Sequence, residues 1–151
     1  MPTPILPHRI LRTARVGEKV GFSRTLTEAD AALFIGVTWD INPYHTDDTY
    51  VAQTRFGRRI VPGLLTASLL THLGGLWAFL ATDMSFEFLG PVYIGDTVTA
   101  ESEIVEIGDK GWVRLAGRVI GPDGNDVLRA TIRGYPLLSH AGQIRTWRPP
   151  S

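Results

Sequence analysis

Asp40 and His45 lie close together in the sequence DINPYH and have the chemistry of an acid/base pair. Histidine titrates near neutral pH, and a neighbouring carboxylate can orient the ring or act as the base itself. Asn42 and Pro43 favour a turn or an extended backbone between them, because proline fixes φ and disfavours helical geometry in the residue before it. The two side chains can therefore converge without helical spacing.

A glycine at the predicted start of a helix follows this pair. Gly63 comes directly after Pro62, and proline is common in the first turn of a helix. A backbone amide at a helix N-terminus can stabilise negative charge that develops on a substrate oxygen. These residues have the parts of an acid/base site with an anion hole, although the DINPYH motif alone also fits a capped turn with a solvated histidine.

The composition indicates one domain without a polyanionic partner. The chain has 151 residues, of which 44% are hydrophobic, and this is enough to bury a core. Fifteen basic side chains balance 15 acidic ones, so we expect neither a nucleic acid nor an anionic membrane as a partner. The chain has no cysteine and no H-x-x-H motif, so we expect no metal site.

The uncharged stretch from residue 60 to residue 82 is long enough to suggest a transmembrane helix. Glycine, proline and hydroxyl side chains interrupt it, and a helix surrounded by the rest of a small domain is the preferred interpretation. That helix is predicted to start at Pro62 and to run for about 16 to 19 residues, or roughly 27 Å. Since the N-terminal segment has no apolar run of signal-peptide length, we expect cytoplasmic residence.

The remaining pattern predicts an α+β domain over residues 1–138 and a C-terminal tail over residues 139–151. A strand at residues 16–25 precedes a helix that Thr27 caps and that stops near Gly36 and Val37. Residues 38–46 are predicted to be irregular, and Thr46 or Asp47 to cap a short helix. After Asp83 the period changes to two, which predicts an antiparallel meander of strands at residues 97–107, 112–120 and 127–137.

In this order the motifs resemble the MaoC-like dehydratases and (R)-specific enoyl-CoA hydratases. The family pattern D-x-N-P-x-H matches Asp40 to His45, and a later I-x-H-G motif matches Ile60 to Gly63, with Pro62 in place of the family's histidine. The sequence PVYIGD resembles the family's P-V-x-x-G-D turn. The resemblance implies the hotdog fold, in which an antiparallel sheet wraps around a long central helix.

The resemblance also implies a reaction, the reversible syn hydration of trans-2-enoyl thioesters to (R)-3-hydroxyacyl thioesters. Asp40 and His45 would be the catalytic pair that holds one water, and the amide of Gly63 would be the oxyanion hole. Which side chain is the base and which the acid stays open. No cofactor is expected other than the coenzyme A that the substrate carries.

Six further residues are expected to contact the substrate: Asn42, Tyr44, Phe56, Arg58, Arg59 and Thr71. Tyr44 would narrow the acyl pocket, and the hydroxyl of Thr71 would support Asp40. Arg55, Arg58 and Arg59 suit contacts with the phosphates of coenzyme A, but a basic surface loop of this kind is as often only solvated.

Two alternative functions and one assembly follow from the same residues. A hotdog thioesterase would direct water at the carbonyl carbon, and a non-catalytic subunit would only bind acyl thioesters. His72, on the predicted central helix, is interpreted as a core or interface histidine. Because one hotdog sheet leaves an edge strand and one side of its helix uncovered, we expect a homodimer or higher homo-oligomer with the site at the interface.

Overall fold

A computed structural model describes residues 14–136 of the chain. Its helices are α1 (Glu28–Thr38), α2 (Pro43–Thr46), α3 (Asp48–Val51) and α4 (Gly63–Leu76). Its strands are β1 (Lys19–Thr25), β2 (Phe79–Phe88), β3 (Thr97–Ile107), β4 (Val113–Ile120) and β5 (Asp126–Pro136). They form one antiparallel sheet in the order β1-β3-β4-β5-β2. The predicted α+β hotdog arrangement is confirmed, whereas the predicted domain boundary lies outside the described residues.

The period-two pattern of β4 sets its two faces. Val113, Leu115 and Val119 are buried, whereas Arg118 lies on the outer face. Gly117 continues the inner row, and a Cβ there would come 2.9 Å from a methyl carbon of Leu70 on α4. The missing side chain therefore lets the helix approach the sheet, and the predicted meander of β3, β4 and β5 is confirmed.

The central helix α4 packs one side against β2, β3 and β4. Leu70 and Leu73 are fully buried, whereas Leu64 and Thr71 are exposed. The predicted length was wrong: α4 has 14 residues, because Ala78 takes a left-handed φ of 48° and a strand starts at Phe79. Within residues 14–136, no helix has the length and apolarity that a membrane crossing requires.

Side-chain caps shape the segment between β1 and α4. The predicted cap at Thr27 is confirmed, because Thr27 and Asp30 form a reciprocal capping box at the start of α1. Residues 38–46 are not wholly irregular as predicted. Asn42 Oδ1 accepts the Tyr44 amide at 3.1 Å and starts the helical turn α2, in which Pro43 fits the first position. Asp47 caps α3 as predicted, but α3 is shorter than the sequence suggested.

Candidate active site

The end of α1 places Asp40 in a tight connection. Trp39 closes the helix in a left-handed conformation with φ 58°, and its amide donates to the Ile35 carbonyl at 2.8 Å. The amide of Asp40 then donates to the Thr38 hydroxyl, and the Asp40 carboxylate accepts the Asn42 amide at 3.4 Å. The carboxylate of Asp40 is thereby turned back towards the start of α2, and its side chain remains 43% exposed.

The helical turn α2 places His45 beside Asp40 and the Ile60 carbonyl. The His45 side chain is 10% exposed, and its Nδ1 lies 2.8 Å from the Ile60 carbonyl oxygen. A carbonyl can only accept, so Nδ1 must carry the hydrogen. In the neutral ring Nε2 then has a free lone pair, and this atom lies 3.6 Å from Asp40 Oδ2.

Asp40 and His45 therefore face each other as two hydrogen-bond acceptors when the imidazole is neutral. Their separation of 3.6 Å is too long for a direct hydrogen bond. A water molecule beside them can donate one hydrogen to each, and it is then held with its oxygen lone pairs directed away from the protein. The prediction that the two side chains converge is confirmed by this geometry.

The first turn of α4 lies in the same pocket as His45. Pro62 is the N-cap residue and Gly63 the first helical residue, and the cap makes no side-chain hydrogen bond. The helix itself offers no carbonyl to the first amides of its N-terminus, so these amides and the helix dipole favour an anion there. A Cβ on Gly63 would come 2.9 Å from the ring of Phe88, so glycine permits this close contact.

His45 and Gly63 line a pocket of about 380 Å³, whereas Asp40, which faces His45, is not among its lining residues. Its polar groups are His45 and the buried Thr66, and Arg55 lies at its edge. Its apolar wall is formed by Phe56, Val61, Phe88, Leu89, Val92 and Val127. The pocket therefore combines an acid/base group and a helix N-terminus with an apolar surface, as expected of a site for a small organic substrate.

Four of the predicted substrate contacts have other partners in this chain. Arg59 binds the carboxylates of Glu28 and Asp48, and Arg58 pairs with Asp96 at 3.4 Å. Asn42 caps α2, and the Thr71 hydroxyl donates to the carbonyl of Ser68 on its own helix. None of these four residues lines the pocket, so a role for them in substrate binding stays a prediction.

Tyr44 and Phe56 behave differently from each other. Phe56 lines the pocket, whereas Tyr44 packs edge-on against it with ring centroids 5.5 Å apart. Tyr50 packs on Tyr44 in the same way at 5.4 Å. Tyr44 therefore supports the pocket residue Phe56 and does not itself line the pocket. The predicted narrowing of the acyl pocket by Tyr44 would have to act through Phe56.

Sequence reasoning missed Thr66 and Phe88. Thr66 lies one turn after Gly63, and this helical spacing was a usable signal for the same face. Phe88 shares a strand face with Phe86, but the contact of its ring with Gly63 depends on how β2 passes the start of α4. No sequence pattern reports such a crossing.

A larger depression of about 620 Å³ lies on the outer face of the sheet. Its side chains already pair with one another, since Arg118 binds Glu101 at 2.7 Å and Arg129 binds Asp126 at 2.9 Å. We therefore interpret this depression as a solvated, charged sheet face. The reactive groups belong to the smaller pocket at the start of α4. No cluster of three or more potential metal ligands occurs among residues 14–136.

Two proteins with similar sequences are named (R)-specific enoyl-CoA hydratase. The (R)-specific enoyl-CoA hydratase of Aeromonas caviae is 35% identical over 120 residues, which cover 75% of this chain and 88% of that protein. The (R)-specific enoyl-CoA hydratase of Rhodospirillum rubrum is 38% identical over 130 residues, covering 78% of this chain and 89% of that protein.

The fold leads to the same group of proteins. The solved structure of the (R)-hydratase of A. caviae superposes with a TM-score of 0.79 at 30% identity, covering 83% of this chain and 99% of that one. The model of the MaoC like domain matches residues 12–118, which is more than half of the chain. The chain therefore belongs to the MaoC like domain family.

Proposed function

We propose that the chain is an (R)-specific enoyl-CoA hydratase, a hydro-lyase that adds water reversibly to trans-2-enoyl thioesters. The observation that carries this proposal is the 3.6 Å separation of Asp40 Oδ2 from Nε2 of His45, a residue that lines the pocket together with the start of α4. The names of the relatives from A. caviae and R. rubrum support the same reaction.

In this reaction Asp40 and His45 hold one water between them. The pair receives one proton of the water as its oxygen forms a bond to C3 of the substrate. The electrons of the C2–C3 double bond move towards the thioester. Asp40 and His45 then return one proton to C2. Since the water and both side chains lie on one side of the substrate, hydrogen and hydroxyl add to the same face.

The start of α4 stabilises the charge of this step. Negative charge develops on the thioester oxygen, and the Gly63 amide would donate a hydrogen bond to it, aided by the helix dipole. A backbone donor of this kind typically contributes on the order of a hundredfold or more in rate. The ring of Phe88, which packs against Gly63, would cover the thioester from the apolar side.

The coenzyme A part of the substrate would extend out of the pocket beside Arg55. This exposed side chain lies at the pocket edge, with its guanidinium 4.9 Å from the centre of the Phe56 ring. Arginine suits phosphate oxygens, so Arg55 is a better phosphate contact than Arg59, whose Nε, Nη1 and Nη2 already donate to two carboxylates. The reaction needs no cofactor besides the coenzyme A of the substrate, and we propose that it takes place in the cytoplasm.

We further propose that the active form is a homodimer. Strand β2 ends the sheet, and every residue of it except Phe79 and Phe86 is exposed in the single chain. Leu80 and Met84 are apolar residues on this edge. An exposed, apolar edge strand is the expected place for a second copy, which would also cover the pocket near Phe88. Sedimentation of a species larger than the 16.6 kDa chain supports the dimer, and a fully active monomer would contradict it.

Crotonyl-CoA tests the proposed reaction. The purified protein should remove the enoyl absorbance without releasing free thiol, and the product should be (R)-3-hydroxybutyryl-CoA. Release of thiol would favour the alternative thioesterase. Binding of the thioester without turnover would favour the non-catalytic subunit.

A further inference from the structure

We infer that Arg59 is a positioning residue, which holds the Ile60 carbonyl in place and thereby selects the His45 tautomer that the reaction requires. This inference rests on the proposed function for its kinetic consequence. The orientation of the His45 ring is a property of the protein itself and can be measured without a substrate.

The side chain of Arg59 joins two helix starts. Its Nη1 and Nη2 donate to the two oxygens of Glu28 at 2.8 and 2.6 Å, and its Nε donates to Asp48 at 2.7 Å. Glu28 is the first residue of α1 and Asp48 the first residue of α3. The side chain of Arg59 is only 20% exposed, although the residue lies in a loop. A fork of this geometry needs arginine, because lysine offers a point charge without the paired, planar donors.

The backbone of Arg59 is bonded directly to the residue that orients His45. The amide of Ile60 donates to the Tyr44 carbonyl at 3.1 Å, the amide of Val61 donates to the Val92 carbonyl at 2.7 Å, and the Arg59 carbonyl accepts the Ile94 amide at 3.4 Å. The side chain of Arg59 connects the same segment to α1 and α3. The direction of the Ile60 carbonyl is therefore set by three backbone hydrogen bonds and one side-chain fork.

This carbonyl decides which ring nitrogen of His45 has the hydrogen. With the carbonyl 2.8 Å from Nδ1, the hydrogen stays on Nδ1 and the Nε2 lone pair faces Asp40. If the carbonyl moves, the other neutral tautomer can donate from Nε2 to the Asp40 carboxylate. That tautomer has no lone pair on Nε2. Asp40 and His45 can then no longer accept both hydrogens of the water.

The first experiment measures the tautomer by nitrogen-15 NMR of the histidine side chains, with the His45 signals assigned from a His45→Gln variant. The wild-type protein should show hydrogen on Nδ1 and an unprotonated Nε2. Arg59→Gln should add the Nε2–H form, and Arg59→Lys should give an intermediate mixture. The matched control is Arg118→Gln, which removes another arginine that binds a carboxylate, 2.8 Å away on the outer sheet face. Its His45 signals should equal those of the wild type.

The second experiment measures crotonyl-CoA hydration by the same variants. Arg59→Gln should lower kcat by about tenfold to a hundredfold and change KM by less, because the ring is misplaced and the pocket wall remains. A folded Arg59→Gln protein with the wild-type tautomer would overturn the inference, and so would an altered tautomer with full kcat. If Arg59→Gln does not fold, the double variant Glu28→Gln, Asp48→Asn must shift the tautomer instead, and an unchanged tautomer overturns the inference. A wild-type protein without hydratase activity would refute the proposed function, while the NMR result would still decide the role of Arg59.

Discussion

The outer face of the sheet and the loop from residue 38 to residue 63 both place arginine against carboxylates, but with different consequences. On the sheet, Arg118 binds Glu101 across β3 and β4, where the strand ladder already fixes the backbone. In the loop, Arg59 binds Glu28 and Asp48, and the chain before α4 is held by turns and one isolated bridge instead of a strand ladder. An arginine–carboxylate pair is therefore nearly dispensable on the sheet, whereas in the loop it determines the geometry of the reactive groups.

Replacing the reactive pair should give the largest effect. Asp40→Asn or His45→Gln should lower kcat by about a hundredfold to ten-thousandfold, because each removes one of the two groups that hold and activate the water. Circular dichroism should show an unchanged fold. Asp109→Asn, in the exposed turn between β3 and β4, is the matched control with expected full activity. Unchanged turnover in both site variants would place the chemistry elsewhere.

Two glycines of α4 allow a sharper comparison within one helix. Gly63→Ala should lower kcat by about tenfold to a hundredfold, because its Cβ would meet the Phe88 ring at 2.9 Å and displace groups around the amide. Adding Phe88→Leu should restore part of the loss. Gly75→Ala meets nothing within 4 Å, so it should keep activity and stabilise the helix by up to about 1 kcal/mol. Equal kinetics in the two alanine variants would argue against the oxyanion role of Gly63.

The capping box of α1 should affect stability with a defined pH dependence. Hydrogen bonds from the amide and hydroxyl of Thr27 lower the pKa of Asp30. Because the pKa of Asp30 is lower in the folded state, its ionised carboxylate stabilises the fold. This stabilisation is fully present above the unfolded pKa of about 3.9, and it is lost as the pH falls through the folded pKa. Thr27→Ala should therefore cost about 1 kcal/mol at pH 7 and less in strong acid. Urea unfolding at both pH values measures this, and a cost that grows in acid would contradict it.

The outer sheet face should give the smallest effect. Arg118→Gln should change the free energy of unfolding by less than about 1 kcal/mol, because exposed ion pairs contribute little in water. Added salt should reduce even this difference, since it screens charges at the surface. Steady-state kinetics should match the wild type. A large loss of activity would mean that the depression on this face takes part in catalysis.

The sequence was sufficient for features that local chemistry dictates. The motif DINPYH predicted the convergence of Asp40 and His45, because a proline and an Asn cap leave that segment few conformations. The alternation in β4 predicted its buried row, since side chains of a strand point to opposite faces. Thr27 was identified as a cap for the same local reason, and Asp47 was one of the two caps considered for α3, beside Thr46.

Features that depend on distant contacts could not be read in this way. The apolar residues after Leu76 fit a helix as well as a strand, and only pairing with β5 selects the strand from Phe79. Arg59 was interpreted either as a phosphate ligand or as a solvated loop residue, because nothing in the sequence around it reveals that Glu28 lies beside it. The contact of Phe88 with Gly63 likewise depends on the path of β2 past α4.

A crystal structure of the Asp40→Asn variant with crotonyl-CoA tests the central claim most directly. The account predicts the thioester oxygen at hydrogen-bonding distance, about 2.7 to 3.1 Å, from the Gly63 amide. It also predicts an ordered water between Asn at position 40 and His45 Nε2, facing C3 of the substrate. A thioester bound away from the start of α4, with no water between these two side chains, would contradict the account.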